Sequence, residues 1–146
     1  DVNFNFTFVG SGPLIQMVKS IKNVNFKYYK FLDKSQLSRI YQNNSILVLP
    51  SIFDGWGVVI TEAMSHGLAI ISNKNVGSFN EYIKHGINGR SANLNLYSLV
   101  NEIKFFSNNK KKIREYGICN KKIFYKSLSN ASLAANKIEK FLKLLK

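Results

Sequence analysis

Short runs of β-forming residues alternate along the chain with stretches in which apolar residues recur every three or four positions. Asn5-Phe6-Thr7-Phe8-Val9 reads as a strand. It ends at Gly10-Ser11-Gly12-Pro13, a sharp turn that places Pro13 at a first helical position. Leu14, Ile15, Val18 and Ile21 then predict a short helix. Asn25 to Leu32 reads as a second strand, with Lys27 and Lys30 implying partial exposure. Lys34 to Tyr41 predicts a helix capped by Asp33 or Ser35, with Leu37, Ile40 and Tyr41 turned inward. Ile46-Leu47-Val48-Leu49 is a continuous apolar run, the pattern of a strand covered on both faces. Pro50 to Gly57 reads as a loop, and Val58 to Ser65 as a helix stopped at His66-Gly67. Leu68-Ala69-Ile70-Ile71 repeats the buried-strand pattern. Phe79 to Lys84 predicts a short helix ended by His85-Gly86, and Gly89 to Ala92 a short strand. From Leu96 onward the pattern is helical in about three segments, with breaks near Ser107-Asn108-Asn109 and Ser127 to Asn130.

Strand–helix alternation with short apolar strands predicts an α/β fold with a parallel sheet flanked by helices. The 146 residues suit one domain with a sizeable core, and no repeat, low-complexity tract or internal linker interrupts them. We expect a domain over residues 1–128 and a separate C-terminal helix over 129–146. No apolar run reaches the ~18 residues a membrane span needs. The first residues lack a basic stretch followed by an apolar one, so no signal peptide is expected and a cytoplasmic setting is.

Charge changes this picture. The chain has 21 Lys+Arg against 8 Asp+Glu. Residues 104–146 hold 12 of the basic residues and 2 acids, a net of +10, whereas residues 1–103 carry only +3. Such asymmetry raises a nucleic-acid or anionic-membrane reading. The basic residues sit at helical spacing between apolar ones, which also describes a solvated helix face. No helix-turn-helix, zinc-finger or RNA-recognition signature accompanies them, and no nucleic-acid partner is expected. A single cysteine, Cys119, excludes an internal disulfide and a cysteine zinc cage, and reads as a packed residue.

Three loops follow predicted strands, where ligands bind in open α/β sheets. Gly10-Ser11-Gly12 combines glycines with a helix start, a pattern shared by phosphate loops and by plain structural turns. Pro50 to Met64 is richer. Asp54 precedes Gly55-Trp56-Gly57, a helix begins at Val58, and Glu62 follows about one turn in. A charge–dipole preference explains Glu62 alone. It leaves unexplained why an acid precedes two glycines and why Trp56 occupies the turn. Free amides around Gly57 suit a diphosphate, and the flanking carboxylates suit the hydroxyls of a sugar or ribose. The third loop is Gly77-Ser78-Phe79-Asn80-Glu81, in which Glu81 alone would read as a surface acid.

Taken together, Leu47 to Gly89 resembles the C-terminal donor-binding domain of family 4 glycosyltransferases (glycosyl transferases group 1), which have the GT-B fold. The resemblance is carried by Asp54-Gly55-Trp56-Gly57, Glu62-Ala63-Met64, Gly67-Leu68-Ala69-Ile70, Gly77-Ser78-Phe79-Asn80-Glu81 and Gly86-Ile87-Asn88-Gly89. Upstream, Phe8-Val9-Gly10-Ser11-Gly12-Pro13-Leu14 looks like the family's Gly-x-Gly-Pro turn, and the likeness extends over about residues 4–125. It implies a Rossmann-like three-layer domain, the C-terminal half of a GT-B fold, with a helical C-terminal tail. It also implies roles. Glu62 would bind the ribose hydroxyls and Asp54 would sit by the donor sugar, these two being the catalytic candidates. The amides around Gly55, Trp56, Gly57, Val58 and Val59 would face sugar and diphosphate. Gly10 and Gly12 would line the donor site, and Phe31-Leu32 would lie near the base. The family holds the diphosphate without metal. The sequence has no Asp-x-Asp pair, and His66 and His85 beside glycines at helix ends read as structural.

The implied reaction is retaining transfer of a sugar from a nucleotide sugar, such as a UDP- or GDP-sugar, to an acceptor hydroxyl. The expected product is a bacterial cell-envelope polysaccharide or lipopolysaccharide. The chain departs from the family at Asp54 (a Glu there), at Ser78 (a Gly) and at Asn80 (a Pro). It is expected to be a fragment or detached donor domain, lacking the N-terminal acceptor domain and the opening strand–loop–helix. A non-catalytic GT-B-like nucleotide- or partner-binding domain is the alternative reading. In the implied enzyme the apolar stripe Leu133, Ile138, Phe141, Leu142 and Leu145 would cross to the acceptor domain; without that domain it would be exposed, fold onto this domain or pair with another copy. The basic segment from Lys104 to Lys126 would face anionic lipid at the inner membrane surface, near a lipid-linked acceptor.

Overall fold

The computed structural model describes residues 4–21 and 25–127. They form two compact units, divided between Asn44 and Ser45. In the first, β1 (Phe6–Val9), α1 (Ile15–Lys19), β2 (Phe26–Tyr29) and α2 (Lys34–Gln42) follow one another. β1 and β2 pair in parallel, with Phe6 opposite Phe26 and Val9 opposite Tyr29. The alternation of aromatic residues in both strands puts Phe8 edge-on to Phe26, ring centroids 5.8 Å apart. Of the two caps foreseen for α2, Asp33 is the one used. Its Oδ1 accepts from Gln36 N at 2.8 Å, and Gln36 Oε1 accepts from Asp33 N at 3.0 Å, a reciprocal capping box. That backbone donor and the Ser35 hydroxyl hold the Asp33 carboxyl below its ordinary range.

The second unit runs through β3 (Ile46–Val48), α3 (Val58–His66), β4 (Ala69–Ser72), α4 (Gly77–Tyr82), β5 (Gly89–Ser91), α5 (Leu96–Asn108) and α6 (Lys110–Ser127). Its sheet is parallel in the order β3-β4-β5. The continuous apolar run predicted for β4 is buried along its whole length, because this central strand carries a ladder on each edge. β3 was expected to be covered on both faces as well. It is half-buried throughout, being paired to β4 alone within this unit. α4 begins two residues before the apolar pattern suggested, at Gly77. Ser78 N donates to Trp56 O at 2.7 Å there, so tertiary bonding overrides the weak helix preference of Gly and Ser. The foreseen break at Ser107 to Asn109 separates α5 from α6. The second break, the apolar stripe from Leu133 and the helix expected over 129–146 lie outside the described residues.

The core joins Ile60, Met64, Ile70, Ile71, Phe106 and Tyr116, all at most 2% exposed. A buried polar knot crosses it. Asn120 Nδ2 donates to Leu68 O at 2.8 Å and to Asn88 O at 2.9 Å, while Asn88 Nδ2 donates to Asn120 Oδ1 at 2.8 Å and to Tyr82 O at 2.9 Å. Asn88 Oδ1 accepts from Lys84 N at 2.7 Å. Both side chains are thus satisfied at burial that would otherwise be costly, and they fix α6 to the turns leading into β4 and β5. Within the Gly86-Ile87-Asn88-Gly89 motif, Asn88 and Gly89 are thus buried parts of the fold, while Gly86 and Ile87 are exposed.

Candidate functional site

The two loops leaving the carboxyl ends of β3 and β4 are bound to each other over their whole length. Asp54 N donates to Asn75 O at 3.0 Å, Gly77 N to Asp54 O at 3.2 Å, and Ser78 N to Trp56 O. Asparagine side chains extend the zipper: Asn73 Nδ2 donates to Ser51 O at 2.9 Å and Asn75 Nδ2 to Ile52 O at 2.7 Å. Asn80 Nδ2 closes the second loop on Lys74 O at 2.7 Å. The backbones approach so closely at Gly77 that a Cβ there would lie 2.3 Å from Gly55 O.

This frame presents the start of α3. Gly57 occupies the N-cap with φ 75° and ψ 60°, a left-handed conformation that favours glycine, and no side chain caps the helix. A Cβ on Gly57 would also sit 2.4 Å from Val76 Cγ1. In the first turn of α3, Ile60 N donates to Gly57 O at 3.0 Å, which leaves the Val58 and Val59 amides without an intrahelical acceptor at the positive end of the helix dipole. The residues around them face outward: Trp56 is 46% exposed and Val58 57%, while Val59 is exposed and Gly55 too. Trp56 is steadied edge-on by Tyr82, centroids 6.0 Å apart. Burial, then the charge of Glu81, pushes the Tyr82 hydroxyl above its ordinary range.

One acid precedes this helix start and the other lies in its second turn. Asp54 is half-buried, and its Oδ1 accepts from Trp56 N at 3.2 Å. Its Oδ2 lies 3.6 Å from the point a Gly57 Cβ would occupy, directed at the glycine rather than away from it. Glu62 is half-buried in the second turn of α3, and its carbonyl accepts from Ser65 Oγ at 2.6 Å. Ser78 stands where the resemblance has a glycine. It is fully buried, its Oγ donating to Gly57 O at 2.9 Å, so this departure braces the N-cap. Asn80, in place of proline, closes its own loop as described. Glu81 is exposed.

In the first unit, Gly10 has φ 137° and its N donates to Tyr29 O at 2.9 Å, turning the chain out of β1. Gly12 has no atom within 4 Å of an added Cβ. Residues Phe8 to Ile15, with Val18 and Tyr28, line an open depression of about 400 Å³. Phe31, 83% exposed, and Leu32, half-buried, do not line it. The histidines are engaged with backbone: His66 Nδ1 lies 2.9 Å from Glu62 O, and His85 Nδ1 accepts from Ser91 N at 3.0 Å. No group of three or more His, Cys, Asp or Glu side chains suited to a metal occurs among the described residues.

Sequence reasoning missed Asn73, Asn75 and Tyr82. The clue to the asparagines was compositional: Ser72-Asn73-Lys74-Asn75 follows a buried strand, and Asn side chains bond readily to loop backbone. Tyr82 gave no such clue, because only the fold brings it to Trp56.

The comparisons with known proteins agree with this architecture. The family model described as glycosyl transferases group 1 matches residues 1–123. An uncharacterized 41.2 kDa protein in the cps region of Klebsiella pneumoniae is 29% identical over 119 residues, which cover 77% of this chain and 33% of that protein. The sucrose-phosphate synthase of Thermosynechococcus elongatus superposes with a TM-score of 0.79 at 20% identity, over 95% of this chain and 38% of its own. The Anabaena protein HepE, solved in complex with UDP-glucose, superposes with a TM-score of 0.77 at 20% identity, over 95% of this chain and 40% of its own. At such identities the structures speak for the fold, and it is the α/β, GT-B type expected from the motifs. The chain spans about a third of the length of its Klebsiella relative.

Proposed function

The chain belongs to the glycosyl transferases group 1 family, and from that premise we propose that its second unit binds the nucleotide-sugar donor of a retaining glycosyltransferase. One observation carries the reading: a helix N-terminus with no side-chain cap, held open by Gly57, with Asp54 before it and Glu62 in its second turn. First-turn amides and the helix dipole suit a diphosphate. Glu62, its Cα about 6 Å along the axis from Val58 at 1.5 Å per residue, offers a carboxylate that suits a pair of ribose hydroxyls. Asp54, between Trp56 N and Gly57, suits a sugar hydroxyl. HepE, of the same fold, was solved with UDP-glucose, and the Klebsiella relative's place in a cps region supports a product in envelope polysaccharide synthesis. These points also favour the family 4 assignment.

In the reaction, the bond from the anomeric carbon to the diphosphate oxygen breaks, and the acceptor hydroxyl oxygen bonds to that carbon. The acceptor proton leaves with the departing diphosphate, whose oxygen lies on the face where the acceptor enters when configuration is retained. The chain's residues orient the donor and spread the developing charge over fixed amides. Neither Asp54 nor Glu62 needs to carry a proton, and the grip on the diphosphate runs through backbone amides. The acceptor side belongs to the whole transferase.

Calorimetric titration of UDP, GDP and ADP, and of their common sugar conjugates, tests the reading. Saturable binding of one nucleotide is expected. Glu62→Ala should weaken it roughly 10- to 100-fold, the worth of charge-assisted hydrogen bonds. Unchanged affinity in that variant would remove Glu62 from the site. No binding by any nucleotide would sink the donor reading for this chain.

A further inference from the structure

Helix α6 has two faces of different chemistry. Ile113, Tyr116, Gly117, Asn120 and Phe124 turn inward, with Tyr116, Gly117 and Asn120 fully buried. Opposite them, positions 111, 114, 118, 121, 122 and 125 recur at three- and four-residue spacing and are all exposed. They form a stripe of Lys111, Arg114, Ile118, Lys121, Lys122 and Tyr125, with Lys110 and Lys126 at its ends. Ile118 and Tyr125 are 48% and 56% exposed, two turns apart along the middle of the stripe. The one acid of α6, Glu115, is tied to Lys112 at 2.7 Å, so the other cations of this face are left uncompensated by it. Over 18 residues the helix offers a straight edge of about 27 Å.

We propose that this outer face of α6 docks on a bilayer surface containing anionic phospholipid. The charges supply the attraction, about fivefold in partition per basic residue near such a surface. Ile118 and Tyr125 enter the headgroup boundary while the lysine stems lie alongside them, ammonium groups toward phosphate. Six of the seven cations on α6 are lysines. Lysine's compact, strongly hydrated charge suits a headgroup field, whereas planar, bidentate recognition of a nucleic acid favours arginine. The exposed isoleucine amid the charges suits a hydrocarbon boundary and not a phosphate groove. Among the described residues no helix is long and apolar enough to cross a membrane. The proposal stands apart from the donor site, since none of these residues belongs to it.

Flotation of the full chain with vesicles of phosphatidylcholine alone, and of phosphatidylcholine mixed with phosphatidylglycerol, is the test. Binding is expected only to the mixed vesicles, weakening as salt rises. Two triple variants separate a face from mere net charge. K111E/R114E/K122E and K27E/K34E/K84E both lower the formal charge from +13 to +7. The first should lose at least about a hundredfold in partition, by the per-residue figure above, and the second should lose far less. Ile118→Ser with Tyr125→Ser should lower binding severalfold at a salt concentration that leaves the parent bound. Equal losses in the two triple variants would overturn the proposal, as would a preference for duplex RNA or DNA over mixed vesicles. Nucleotide titration of the same variants reports separately on the donor site.

Discussion

Gly117→Ala is expected to lower the melting temperature of the full chain by roughly 5–10 °C, although alanine is the better helix former. Gly117 sits in the middle of α6, where its replacement alone would gain about 1 kcal/mol of helix propensity. The added methyl would, however, lie 2.0 Å from Gly67 O and 3.0 Å from Gly67 C. Those are backbone atoms of a left-handed turn at φ 78°, pinned by Gly67 N donating to Met64 O and Leu68 N to Ala63 O. No side chain can rotate away, so α3 and α6 must separate. Asn120, one turn on, would then lose its hold on Leu68 O and leave buried polar groups poorly paired. Overpacking of about 1–3 kcal/mol and this polar loss together outweigh the helical gain by roughly 2–3 kcal/mol. Gly12→Ala is the matched control, since nothing lies within 4 Å of its added Cβ, and its stability should stay within about 0.5 kcal/mol of the parent. Thermal denaturation of both variants decides the matter. A Gly117→Ala protein as stable as the parent would mean that the two helices do not meet through these glycines.

The elements were legible because their signals are local. The apolar run that forms most of β4, the Asp33 cap and the Gly67 stop each depend on a few adjacent residues, and each appears where the pattern places it. The coverage of β3 was not legible, since Ile46-Leu47-Val48 says what the strand tolerates and not what lies beside it. Long-range pairs were hidden for the same reason. Asn88 and Asn120 are 32 residues apart and follow no shared period. In the site, Asp54, Glu62 and the two glycines between them were visible as an order of residue types. Their support was not: that Gly77 must be bare to admit Gly55 O, or that Ser78 reaches Gly57 O, is a consequence of two loops meeting across more than 20 residues. The apparent departure at Ser78 thus has a structural role that residue-by-residue comparison with a motif could not assign.

Gly77→Ala should abolish measurable nucleotide binding while costing the fold less than Gly117→Ala does. The new methyl would lie 2.3 Å from Gly55 O and 3.3 Å from both Gly55 C and Trp56 Cα. Relief requires the first loop to move off the second, which breaks the bonds from Gly77 N to Asp54 O and from Ser78 N to Trp56 O. Those bonds set the position of Asp54, the Trp56 peptide and the Gly57 cap relative to α3. The first loop is exposed at Gly55 and Trp56, where water replaces lost partners, so the stability cost is expected near 1–2 kcal/mol. Binding suffers more, because a diphosphate grip needs several amides directed at one point, and a displacement of about 1 Å can cost a hundredfold. Ser78→Ala probes the same frame more gently: it removes the hydroxyl brace on Gly57 O without a clash and should weaken binding only severalfold. Nucleotide titration paired with thermal melts of both variants tests the ordering. If Gly77→Ala binds nucleotide as the parent does, the paired loops do not frame the donor site, whatever Glu62→Ala shows.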